Sequence, residues 1–182
     1  MLRSRFAKYP EKVQQAATDL LKSFDLTVAD KKKRLDEFEA SLPSGDIHRG
    51  HLIFNGTKAA CATCHAVGYL GGQVGPDLTR IGAIRTQRDL LEAILYPSAS
   101  FARGFEPMVI LTKDGEEHSG LVRKEASDSL LLVSGPAAEQ RILRSDIREM
   151  RPSTVSVMPE GLEQQLSKQE MSDLVAFLGA LK

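Results

Sequence analysis

The chain has 182 residues, 42% hydrophobic and 26% charged, with 24 Lys and Arg balancing 24 Asp and Glu. That length holds one domain of ordinary size with additions, or two small ones, and the composition is that of a globular protein. Zero net charge leaves no global field favouring nucleic acid or an acidic membrane surface, and no apolar stretch is long enough to cross a bilayer as a helix.

Met1 to Phe6 lacks the apolar core of a signal peptide. Residues 10–24 put Val13, Ala16, Ala17, Leu20, Leu21 and Phe24 on one helical face. A second helix is predicted over 30–42 with Leu35, Phe38 and Leu42 inward, and Pro43-Ser44-Gly45 ends it. The basic run Lys31 to Arg34 is followed by Asp36, Glu37 and Glu39, which reads as a solvated helix face. This pair of helices, residues 1–45, carries no residue with obvious chemistry and reads as an extension or linker.

Asp46 is placed to cap a helix over 47–54, closed by Asn55-Gly56. Thr86-Gln87-Arg88-Asp89 has the form of a capping box for a helix running to Leu95, which Pro97 ends. Between 106 and 149 the hydrophobic period changes. Met108 to Lys113, His118 to Arg123, Leu130 to Val133 and Arg141 to Leu143 read as strands, with turns at Asp114-Gly115 and Ser134-Gly135-Pro136. Ser167-Lys168-Gln169-Glu170 is a second capping box, flanked by the Leu166/Met171 hydrophobic staple. It opens a last helix whose inner face carries Leu174, Val175, Phe177, Leu178 and Leu181. The expected fold is mainly α, residues 46–182, with a small antiparallel sheet inserted at about 106–149.

The most informative stretch is Cys61-Ala62-Thr63-Cys64-His65, and these two cysteines are the only ones in the chain. Two cysteines three positions apart can each add to a vinyl group of one haem, and the adjoining histidine can then bind iron from the same side. A structural zinc site would need a second ligand pair that the sequence lacks. A thioredoxin-like dithiol would follow a buried strand, and Gly56 to Ala60 does not read as one.

His65 supplies one axial ligand, and the other must come from elsewhere. Met158 lies in a loop, Ser156 to Gly161, which Pro159 keeps out of helical geometry, and a thioether there would raise the reduction potential. Met171, Met108 and Met150 are better explained as packing residues. His48 and His51 leave open a bis-histidine arrangement, and His118 beside the hairpin turn reads as a surface residue. Pro76 keeps a free carbonyl that could accept the second ring N–H of His65, while Leu78 could pack on the porphyrin. Gly71, Gly72 and Gly75 lack a following Gly-Lys-Ser/Thr, so a phosphate loop is a weak reading; close approach of backbone to the haem edge accounts for them better. Arg80, Arg85, Tyr96 and Arg103 are available to meet haem propionates.

With these residues in view, the chain resembles the class I cytochromes c over about 46–105 and 150–182. Gly50 and Phe54 on the first helix and Phe177 on the last match the family's crossing positions. Carried over by motif, Cys61 and Cys64 would attach haem c, His65 and Met158 would bind iron, and Pro76 would support His65. A closer resemblance is to the planctomycete and verrucomicrobial (Pirellula/Verrucomicrobium-type) haem-binding domain. It is carried by Gly71 to Thr79, Tyr96-Pro97-Ser98 and Met158 to Leu162. That resemblance implies an electron carrier, not an enzyme by itself, at the end of a larger periplasmic or otherwise exported protein. Its partner would be a fused dehydrogenase domain or a separate redox protein. The alternatives are a peroxidase-like or gas-sensing haem with an open distal site, and a haem-free binding module built on the sheet.

Overall fold

The computed structural model describes residues 8–16 and 28–182. The chain divides into two units, one ending at Ala40 and the other beginning at Ser41. In the first, residues 11–16 are helical, and helix α1 spans Val28–Ala40 with Leu35 buried. Of the first expected helix, residues 17–24 lie outside the described residues.

The second unit opens on α2 (Ile47–Asn55). Asp46 caps it by accepting the Arg49 amide at 2.8 Å. A single helical turn, α3 (Cys61–Cys64), leads into a short hairpin, β1 (Ala66–Val67) and β2 (Leu70–Gly71). Next come α4 (Ile81–Ile84) and α5 (Gln87–Leu95), the latter with its Thr86/Asp89 capping box formed. After the sheet, α6 (Leu162–Gln165) precedes α7 (Lys168–Ala180), where the Ser167/Glu170 box is also formed. Leu166 and Met171, the staple pair, are both buried.

Helices α2 and α7 cross closely, and Gly50 is the reason they can. A Cβ there would overlap the Asp173 carbonyl and stand 2.6 Å from Phe177 Cβ. Beside that contact Phe54 tilts against Phe177, ring centroids 5.6 Å apart. Asp173, 2% exposed, fixes the crossing by polar contacts. Its carboxylate accepts the Asp46 amide at 2.7 Å, Arg49 Nε and Nη2 at 2.7 and 2.9 Å, and Gln169 Nε2 at 2.9 Å.

The expected mainly α, class I cytochrome c helical fold with a small insertion is not what the unit forms. Five antiparallel strands make the architecture mixed α and β. They are β3 (Met108–Thr112), β4 (Glu117–Glu125), β5 (Ser129–Gly135), β6 (Ala138–Leu143) and β7 (Ile147–Pro152), in the order β6-β5-β4-β3-β7. The sheet has its own core of Ile110, Leu130, Leu132 and Ile142, with Val122 and Ile147 packed against it. Alternating burial on a sheet of this size makes a hydrophobic layer in its own right. The edge strands β6 and β7 are joined by only three residues, Arg144–Asp146. Edges of a flat five-stranded sheet would lie about 19 Å apart, beyond the reach of that link, so the sheet must curl strongly.

Candidate functional site

A cavity of about 570 Å³ runs through the second unit, within the range of small-molecule and cofactor sites. Cys61, Cys64, His65, Pro76, Leu78 and Met158 all line it. Much of its remaining wall is apolar, supplied by Phe54, Leu90, Ile94, Leu162, Leu174 and Leu178.

The wall that bears the two cysteines is built from one turn of helix. Residues three apart on a helix lie on one face, so Cys61 and Cys64 share the same side of α3. His65 closes the turn, its amide donating to the Cys61 carbonyl at 2.9 Å. The turn is entered through Ala60 in the left-handed region, φ 48°, where a Cβ is disfavoured. Thr63 steadies that corner, its hydroxyl donating to the Ala60 carbonyl at 2.6 Å. The two cysteines form no disulfide. Burial pushes the Cys61 thiol up to about 11, the reverse of the lowered pKa that activates a redox dithiol. Among the described residues, no cluster of three or more His, Cys, Asp or Glu is placed to hold a metal ion.

Around His65 the geometry is specific. Its Nδ1 lies 2.8 Å from the Pro76 carbonyl, and a carbonyl can only accept, so Nδ1 carries the proton. Nε2 is then the ring's lone-pair nitrogen. Burial holds the imidazole pKa below its ordinary value, partly offset by the Pro76 bond, which favours the neutral ligand form. Gly75 leaves room for the ring: a Cβ would stand 2.6 Å from Nδ1 and 2.8 Å from Nε2. Gly71 and Gly72 pack closely on neighbouring backbone. A Cβ on either would strike the backbone of the 63–66 segment, at His65 and Ala66 for Gly71 and at Thr63 and Cys64 for Gly72. The loop is pinned there by amide bonds from Gly72 to Ala62 and from Gly75 to Cys64, both 2.8 Å.

Met158 reaches the cavity from a loop held by two serines. Its amide donates to Ser156 Oγ at 3.1 Å, and the Ser156 amide donates to Ser98 Oγ at 3.2 Å. Ser98 thereby ties the segment after α5 to the segment before α6, a link between residues 58 positions apart that no local pattern reveals. Met108, Met150 and Met171 do not line the cavity; Met171 is wholly buried in α7 and Met150 is exposed on β7. His48 and His51 are also absent from the wall, and His51 packs edge-on against Phe177 at 5.3 Å. His118 is not the surface residue expected, being 16% exposed with Nε2 3.5 Å from Glu116. Of the four groups considered for propionates, Arg85 and Tyr96 line the cavity. Arg80 lies in a separate groove with Tyr69 and Asp77, and Arg103 lines neither.

The sheet is part of the site. Phe105, Leu121 and the β5–β6 turn at Ser134, Gly135 and Pro136 line the same cavity. No family model matches the chain, and no curated protein matches its sequence significantly.

Proposed function

We propose that residues 41–182 are an electron-transfer module of the c-type cytochrome class, carrying one haem. Cys61 and Cys64 would hold the group through two thioethers, and His65 Nε2 and the Met158 sulfur would ligate its iron. The observation that carries this reading is the convergence of both thiols, a neutral imidazole and one thioether on a single apolar cavity. No residues elsewhere among those described offer such a set. When bound, the haem supplies a one-electron iron couple whose potential the protein sets through ligands, burial and hydrogen bonds.

What the chain contributes is positioning. Pro76 holds the Nδ1 proton and so keeps the Nε2 lone pair free. Gly75 admits the ring, and Ser98 and Ser156 hold the methionine loop. Leu78, Leu90, Ile94 and Leu162 exclude water from the wall, which favours the less charged ferrous state. No substrate bond is made or broken, so the module is a relay and not an enzyme by itself. We assign it to an exported protein, with a dehydrogenase domain of a longer chain or a separate redox protein as donor. No helix among the described residues is long and apolar enough to cross a membrane.

The test is a pyridine haemochrome spectrum on protein exported and matured with cytochrome c machinery, followed by the spectrum of Met158→Ala. Covalent haem that resists acid–acetone extraction, low-spin in the wild type and high-spin in the variant, is expected. Colourless protein would overturn the haem reading. A high-spin wild type that takes up carbon monoxide readily would replace the relay with a gas-binding or peroxidase-like site.

A further inference from the structure

The register of β4 against β5 breaks between Val122 and Lys124, leaving Arg123 as the extra residue of a β-bulge. Bulges re-aim a side chain that would otherwise follow the alternation of its strand. Here the guanidinium leaves the sheet altogether. Its Nη2 donates to the Gln73 carbonyl and, at 2.7 Å, to the Val74 carbonyl, while its carbon lies 4.9 Å from the centre of the Phe105 ring. Gln73 and Val74 immediately precede Gly75 and Pro76, the two residues that fit around and hydrogen-bond the His65 ring.

We propose that Arg123 is a positioning residue through which the sheet clamps the 73–76 segment, and so fixes the orientation and basicity of His65. The inference rests on the reading of His65 as an iron ligand. Two acceptors on adjacent residues, met by one planar cation stacked on an aromatic ring, make a rigid attachment that a neutral side chain would not reproduce. The clamp gives the sheet a task at the site beyond supplying wall: the loop bearing Pro76 is otherwise tied by the Gly72 and Gly75 amides to α3, the Leu78 amide to the Ala66 carbonyl at 2.9 Å and the Pro76 carbonyl to His65 Nδ1, and none of these bonds is made by Gln73 or Val74. A loosened Pro76 carbonyl weakens the bond to Nδ1–H and lowers the donor strength of the ring. Ferrous iron is then favoured, and the midpoint potential rises.

The decisive variant is Arg123→Met, which keeps an unbranched stem over Phe105 but removes the donors. Arg141→Ala serves as control, since Arg141 makes its contacts in the same sheet with Asp128 and Ser129, away from the loop. Two measurements are made on matured protein: hydrogen exchange by amide, and the midpoint potential. For Arg123→Met the Gly75 amide should exchange about tenfold faster, as loss of a charge-assisted hydrogen bond implies, with α2 and α7 amides unchanged and the potential shifted upward. Arg141→Ala should move neither. An Arg123→Met protein with wild-type exchange at Gly75 and a wild-type potential overturns the proposal. If that variant does not fold, Phe105→Leu, which removes the ring beneath the cation, should show a smaller shift in the same direction, and no shift there overturns it as well. Colourless wild-type protein would remove the haem reading first, whereas pigmented wild type with an unmoved variant removes this inference alone.

Discussion

Replacing Asp173 by asparagine tests how the α2–α7 crossing is held, because the change keeps the volume and removes the charge. Four donors from three residues converge on this buried carboxylate. The Arg49 guanidinium, foremost among them, holds its pKa down from the usual 3.8 to about 2. A depression of that size corresponds to about 2 kcal/mol of folding stability. The sign follows from linkage: the folded pKa lies below the unfolded one, so the contribution is complete above the unfolded value. It is lost as pH falls from 3.8 through about 2. Urea unfolding of wild type and Asp173→Asn, followed by far-ultraviolet circular dichroism at several pH values, measures it. With a slope of about 2 kcal/mol per molar urea, the variant's midpoint should fall by about 1 M at pH 7. The gap should narrow steadily below pH 4. Glu170 is also depressed, to about 2, by Lys58 and the helix cap, but it is common to both proteins and cancels in the difference. A gap of constant size down to pH 2 would mean that asparagine damages packing, and no gap at pH 7 would mean that the carboxylate contributes nothing.

The other expectations concern single contacts. Gly50→Ala should destabilise the unit by about 3 kcal/mol or more, since its Cβ meets backbone that cannot yield; a wild-type thermal midpoint would refute the close crossing. Gly75→Ala should leave the fold intact by circular dichroism but displace the His65 ring, so matured protein should lose its low-spin spectrum. Lys58→Ala removes a 2.7 Å ion pair with Glu170, yet Lys58 is half exposed, so the cost by urea titration should stay below about 1 kcal/mol.

The helix boundaries were legible because capping is local chemistry. Asp46, Thr86 and Ser167 each carry a side chain that satisfies an amide three residues on, and a sequence displays that spacing directly. The Asp114-Gly115 turn was legible for the same reason. β7 was not: Ile147–Pro152 carries Arg148, Glu149 and Arg151, and a charged edge strand has almost no hydrophobic period to read. Missing it, together with the sheet's own core, made a substantial layer look like a small insertion. The Cys61–His65 motif is read from neighbouring residues, but Ser98 and Arg123 make their contacts with partners 58 and 49 or more positions away. No local pattern encodes such a pairing.

The two register breaks flanking the cavity carry the last step. One leaves Arg123 out of the ladder on β4, and the other falls between Val133 and Gly135 on β5, beside the turn that lines the cavity. An unbroken ladder would have alternated these residues between the core of the sheet and solvent. Each break instead turns part of the sheet toward the wall that carries His65, one by hydrogen bonds to the 73–76 segment and one by direct lining. A third break, between Leu111 and Thr112 on β3 against β7, involves no residue of the cavity wall, so it is the contacts made at the two other breaks, and not irregularity as such, that tie the sheet to the site. The breaks at Arg123 and beside Gly135 are therefore the places where a separately cored layer meets the cavity wall, and restoring regular pairing at Arg123 should disengage the two.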